Sequence, residues 1–378
     1  PDSFTTSMAG GTAEDVISLW ATEGYVAERG YALDLTEFIN SWEYKDELNV
    51  EVLKPFTRDG RIYALPKNGY IMGLWYNKTL FKAAGLDENG QAKPPETWEE
   101  FVEVAKKITN KQKGIAGFGI MGNGAEAGWG FLNWVWQAGG DFQVQKDGKW
   151  QAVFDSKEAV EALDFIKALR WQHDVLQANL LATGQELQQR FAAGQIGMML
   201  GTQDWIPNLV NQYGMKLEDI GVAMLPRGPG GYANQMGGNY FIINPSSPPE
   251  VQEAAFKWIT WTILGSMQPE RIAEKGEDLR KEGRIGYLSA LPIFIGKTDE
   301  TARESARPYS DVLIDYPEVW REAAKYMRPE PPFFSQQLYS EYLGPALQNV
   351  LTNKNVDCKQ LLVNAVRGFT ERFLNQVN

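Results

Sequence analysis

Five stretches set aromatic residues beside glycine, proline or an amide: YIMGLWYNK (70–78), AEAGWGFLNWVWQAGG (125–140), GTQDWIPN (201–208), QMGGNYFI (235–242) and PEPPFFSQQLY (329–339). That mixture suits sugar recognition. Ring faces stack on the apolar C–H face of a pyranose, while Asp, Asn and Gln take its hydroxyls. Glycine lets a backbone come close. Taken singly, each stretch reads more simply as core, because buried aromatics are common. Five in a chain that holds 13 Trp, 15 Tyr and 18 Phe shift the balance toward a ligand surface, although most of the Trp are expected in the core. In the first stretch the apolar alternation from Ile71 to Tyr76 serves a sheet. Trp75 and Tyr76 are therefore structural, and Tyr70 is the ligand candidate.

Other chemistry is scarce. One cysteine, Cys358, permits no intrachain disulfide. One histidine, His173, excludes a two-His zinc site, and a Ser-His-Asp triad could be built around that residue alone. RWQHDVL places His173 late in a helical pattern, where a positive charge is favourable, so it reads as structural. No GxxxxGK[ST] loop is present, and the glycines of GFGIMGNG (117–124) flank an apolar strand. DENG (87–90) is a turn, since Gln91 and Pro94 fall where calcium ligands would be needed. Paired carboxylates could make a glycosidase. Most of the 48 acidic residues, however, lie on helical faces such as WEEFVE and DSKEAVE. The isolated Asp2, Asp141 and Asp204 are better suited to sugar hydroxyls, and Asp204 adjoins a wall aromatic, Trp205. No metal or cofactor is expected.

The elements that must position these residues are well marked. A length of 378 residues predicts two domains. A net charge of −11 repels phosphate backbones and argues against nucleic acid. No run approaches the roughly 18 apolar residues of a membrane span. Thr97 and Glu100 form a capping box ahead of Trp98, Phe101, Ala105 and Ile108. Ser247 caps a second helix with Pro248 at its first position. A third starts at Asp155 or Ser156 and buries Val160, Leu163 and Ile166. A fourth is stopped by Gly194, and the tail from Cys358 is a fifth. Strands are expected at 70–77, 115–120, 196–200, 220–225 and 239–244. Their alternation with helices predicts an α/β fold with a largely parallel sheet. Breaks at 111–119, 225–238 and 283–294 imply three crossings between two lobes that share the chain discontinuously.

At this point the chain resembles the extracellular solute-binding proteins, family 1, of ABC importers, the group that contains maltodextrin-binding protein. The carriers, in order, are PDSF, read as the family's PD-hydrophobic strand, then DGRIYALPKNGYIMGLWYNKTLFKAAGL and PPETWEEFVEVAKKI. NWVWQAGGD, RFAAGQIGMMLGTQDW, GVAMLPRGPGG and GGNYFIINPSSPPEVQEAAFKWITWTI follow. The resemblance implies a periplasmic-binding-protein-like fold of type II, with a ligand cleft between two lobes that close about a hinge. Lobe one would hold 1–115 and 232–290, and lobe two 116–225 and 291–378. Local matches carry ligand contacts to Tyr70, Trp129, Asp204, Trp205, Gly237, Gly238, Phe333 and Phe334. The loop Thr5–Gly10 lacks the aromatic and acid of the maltodextrin binder.

The function implied is that of a non-catalytic, monomeric receptor. It would take up a sugar, deliver it to the transmembrane subunits of an ABC permease, and act in the periplasm or as a lipid-anchored protein at the cell surface. Trp129, Trp134, Trp136 and Trp205, placed at or beside the cleft, favour an oligosaccharide. The alternatives are a carbohydrate-active enzyme with an aromatic cleft and a binder of a polyol, phosphodiester or peptide. Family members carry a strand, a helix and another strand before the PD strand, so the natural protein is expected to be longer than this chain.

Overall fold

The structure is a computed structural model. It describes residues 2–88, 90–289, 291–314 and 318–377, apart from the side chains of residues 2, 3, 22 and 23, so the side chain of Asp2 lies outside the described residues. Seven strands carry the frame: β1 (Val16–Trp20), β2 (Leu65–Asn77), β3 (Ala116–Gly119), β4 (Ile196–Thr202), β5 (Ile220–Ala223), β6 (Asn234–Ile243) and β7 (Met327–Pro329). The chain divides into two units, Pro1–Tyr70 with Met236–Tyr316 and Ile71–Gln235 with Pro317–Asn378. It passes between them three times, twice inside the long strands β2 and β6.

In the first unit, β1 pairs antiparallel with β6, from Val16 opposite Ile243 to Trp20 opposite Asn239. The period of two along β6 sends its side chains alternately to two cores. Phe241 and Ile243 pack with Leu35, Phe256, Ile259 and Ile263, under the helix Pro249–Gly265. Tyr240 and Ile242 pack with Leu19, Val26 and Phe56, and the Tyr240 hydroxyl donates to the Val52 carbonyl at 2.6 Å. A smaller cluster of Ile272, Ala302, Ala306 and Leu313 sits beside them.

In the second unit, β4 lies between β2 and β3. It is antiparallel to β2 (Met198 opposite Tyr76, Gly201 opposite Gly73) and parallel to β3 (Met198 opposite Phe118). Leu74, Trp75 and Tyr76 are all buried, so both faces of the strand are covered here and the two rings are structural, as expected from the sequence, without the alternation of burial. The helix Trp98–Ile108 brings Trp98 and Phe101 onto Phe118, Trp134 and Phe165. Ser156 and Thr183 cap the helices Lys157–Trp171 and Gly184–Ala192, and Asp357 caps Cys358–Arg372.

Several expectations are corrected. PDSF opens a helix, Asp2–Ala9, and not a strand, so Thr5–Gly10 is helix and turn; the hydrophobic strand falls later, at VISLW. The sheet is mixed: β1–β6, β2–β4 and β2–β5 pair antiparallel, because β2 and β6 run against the strands they meet. Residues 71–115 pack in the second unit, since Leu74–Asn77 pair with β4 and β5 and Phe101 meets Phe118. Residues 291–314 pack in the first, where Phe294 joins the core and the Pro292 carbonyl accepts from Asn49 Nδ2 at 2.9 Å. Glu100 takes the Glu96 N–H at 2.8 Å, so Thr97 caps alone. Ser247 donates to Asp15 at 2.6 Å, and the helix after it starts at Pro249 with Pro248 as its cap.

Cys358 is 4% exposed, and burial beside Asp164 pushes its thiol up to about 12. The thiol is therefore protonated at pH 8 and shielded. In the folded protein it is expected to resist Ellman's reagent at that pH, and to react fully once denatured. Rapid labelling of the native chain would contradict its placement.

Candidate ligand-binding site

The first unit offers Tyr70, half-buried at the end of its part of β2. Beside it Asn68 is exposed, and its Oδ1 accepts from both the backbone N–H (3.2 Å) and the Nδ2 (3.1 Å) of Asn239. One amide oxygen holding two donors leaves the Asn68 NH2 on the exposed side of the pair. Lys67 is exposed as well, with its Nζ 5.4 Å from the centre of the Phe241 ring. Gly237 and Gly238 are buried where β6 passes this corner. A Cβ on Gly238 would lie 2.2 Å from the Asn68 carbonyl oxygen and 2.7 Å from Gly69 Cα. Gly238→Ala is thus expected to cost about 1–3 kcal/mol in stability, as overpacking against backbone does, and to disturb the Asn68–Asn239 pair. Chemical denaturation checks it, and a loss within error of zero would contradict the close approach.

The second unit offers two half-buried indoles. Trp129 stands on the helix Gly124–Ala138. Its Nε1–H donates to Glu330 Oε1 at 3.3 Å. Trp205 follows β4 in the short helical turn Gln203–Trp205, with exposed Asp204 beside it. Its ring lies against two glycines. A Cβ on Gly201 would come 3.2 Å from Trp205 Cε3, and one on Gly184 3.3 Å from Cη2. Glycine at these places leaves room for the indole between the strand and the start of the helix Gly184–Ala192.

The remaining candidates are placed differently. Phe333 is 1% exposed, meets Trp150 edge-on at 4.9 Å, and exchanges backbone hydrogen bonds with the Gln143 amide. Its ring has no free face. Phe334 is half-buried against Phe373, in a left-handed conformation with φ 50°. Asp141 is tied to Arg328 at 2.8 Å and to the Trp136 indole at 3.2 Å. Trp134 and Trp136 are buried, so both belong to the core and not to a ligand surface. His173 lies just beyond the helix Lys157–Trp171, and burial, then Lys106, holds its imidazole below the ordinary value, against the favourable positive charge expected there.

Sequence reading missed a polar network behind Trp129. Glu330, 7% exposed, also accepts from the Tyr339 hydroxyl at 2.8 Å and from Gln235 Nε2 at 3.3 Å. Gln235 exchanges two further bonds with Asn133, at 2.9 and 3.0 Å. The available signal was the acid inside PEPPFF and the Trp129–Asn133 spacing of four, which puts both on one helix face.

Two α/β units that share the chain through three crossings define the class: a two-lobed solute-binding protein. The chain belongs to the bacterial extracellular solute-binding protein family, whose sequence profile matches residues 2–263. It is 28% identical over 264 residues to a putative binding protein of Brucella abortus, an alignment covering 69% of this chain and 60% of the relative. The chain thus matches less than two thirds of that relative's length. It is 28% identical over 197 residues to the sn-glycerol-3-phosphate-binding periplasmic protein UgpB of Agrobacterium fabrum, covering 48% of this chain and 40% of that protein. In fold it is similar to an ABC transporter solute-binding protein from Thermotoga lettingae bound with α-D-tagatose. The TM-score is 0.74, with 21% identity over 100% of this chain and 88% of the other. Among the described residues no helix is long and apolar enough to cross a membrane.

Proposed function

We propose that this protein is a sugar receptor of an ABC importer. It works outside the cytoplasm, in the periplasm or lipid-anchored at the surface, binds as a monomer without catalysis, and hands its ligand to the membrane permease. The observation that carries the reading is the pair of half-buried indoles, Trp129 and Trp205, each held by its neighbours beside a carboxylate. Fixed ring faces with acids and amides at their edges are what a pyranose needs: stacking for its C–H face and acceptors for its hydroxyls. Asp204, Trp129 and Trp205 are the proposed contacts in the second unit. Tyr70, with the Asn68–Asn239 amides, supplies those in the first, and Gly237 and Gly238 shape the backbone there. Phe334 is retained at the margin; Phe333 supports from within.

A second reading rests on the UgpB likeness: a glycerol phosphate, for which exposed Lys67, three residues before Tyr70 along the strand, would supply the cation. A panel of maltose to maltopentaose, tagatose, ribitol and sn-glycerol 3-phosphate separates the two by thermal shift. A sugar that raises the melting temperature, quenches Trp fluorescence and is recovered uncleaved supports the receptor. A response to glycerol phosphate alone favours the second reading, and sugar cleavage would favour an enzyme.

A further inference from the structure

We propose that Glu330 is a positioning residue that sets the indole plane of Trp129. The inference rests on the reading of Trp129 as a stacking platform. Three side-chain donors from three elements converge on this one buried carboxylate. Trp129 and Gln235 donate to Oε1 and Tyr339 donates to Oε2. A carboxylate offers acceptors only, so all three can be met at once. An amide in its place has one acceptor oxygen and one NH2. The Tyr339 hydroxyl can turn to accept from that NH2, whereas the indole and the Gln235 amide nitrogen can only donate. Glutamine at 330 can therefore keep the packing and all three partners, its oxygen toward the indole and Gln235 and its NH2 toward Tyr339, but as a neutral acceptor it holds the Trp129 N–H less strongly.

The backbone supports the same role. A Cβ on Gly128, the residue before Trp129, would lie 2.6 Å from the Tyr339 carbonyl oxygen, so the helix and the 338–343 segment are in close contact at this point. Gln235 is held in turn by Asn133, one turn along from Trp129 on the same helix. An indole has a single N–H. Fastening it to a fixed acceptor limits how the ring can turn, and does so before any sugar arrives, which is how a platform avoids an ordering cost on binding.

Indole N–H resonances of the 15N-Trp-labelled full chain test this directly. Trp129→Phe identifies the Trp129 signal among the 13. Glu330→Gln is expected to move that signal upfield and leave most others in place. For the panel sugar that raises the melting temperature most, Glu330→Gln should weaken binding by about three- to tenfold, the difference between a hydrogen bond to a charged acceptor and one to a neutral acceptor. Added to Trp129→Phe it should weaken binding no further, because the two act through one bond. An unmoved Trp129 signal, or losses that simply add, would overturn the positioning role. The readouts fail separately. If no panel sugar binds, the sugar reading falls while the resonance still decides what Glu330 does to Trp129.

Discussion

Trp134→Ala should unfold the second unit at markedly lower denaturant, with a loss of about 3–5 kcal/mol, the range for emptying a buried Trp position. Trp134 is 2% exposed. Its ring centre lies 5.4–5.9 Å from those of Trp98, Phe101, Phe118 and Phe165, at tilted and edge-on angles. These four rings come from two other helices and β3. Edge-to-face pairs add about 0.5–1.5 kcal/mol each to the burial they accompany, so the lost ring removes both apolar area and specific contacts. The surrounding rings are too rigid to collapse into the space. Guanidinium denaturation followed by circular dichroism checks it. A loss below about 1 kcal/mol would mean that Trp134 is not the centre of that core.

Trp205→Ala is expected to act the other way round. It should cost about 1–3 kcal/mol of sugar affinity, roughly 5- to 150-fold, as a stacked aromatic hot spot does. Stability should fall far less than for Trp134, because Trp205 is half-buried and lies on a strand end. Calorimetric titration with the panel sugar measures the first effect and a thermal melt the second. A large stability loss with unchanged affinity would return Trp205 to the core.

The contrast between these two tryptophans marks where sequence stops being legible. The strand β4, Gly194 before it and the buried run Ile71–Tyr76 were readable, because apolar runs and caps are local. The family likeness brought Trp129 and Trp205 forward by local match. Trp134 and Trp136 share Trp129's stretch; Trp134 takes another helix face and packs on Phe118, whereas Trp136, seven residues on and on the same face as Trp129, is separated from it by cover, with Asp141 and Arg328 against its indole. Glu330 was hidden for the same reason: Trp129 and Gln235 lie 201 and 95 residues away along the chain. PDSF was misread because its letters fit a motif while the alternating apolar pattern that builds a strand stands further on, in VISLW.

The lobe boundaries failed on a different point. The resemblance places residues 71–115 in lobe one, with a composition break near 111–119 in support, yet β2 continues through Tyr70 without a turn and takes its partners β4 and β5 only beyond it. The glycines that flank the passage in β2, Gly69 and Gly73, lie within the strand and make no turn there. The boundary is set by pairing, which composition does not encode.

The central claim is that Trp129 and Trp205 hold a sugar. Its most direct test is a tryptophan-fluorescence titration of the wild type, Trp129→Ala and Trp205→Ala with the panel. Saturable quenching by at least one sugar, sharply weakened in both variants while the sugar is recovered intact, is the result expected. Binding that neither substitution alters, or no response to any sugar alongside a clear response to sn-glycerol 3-phosphate, would contradict it.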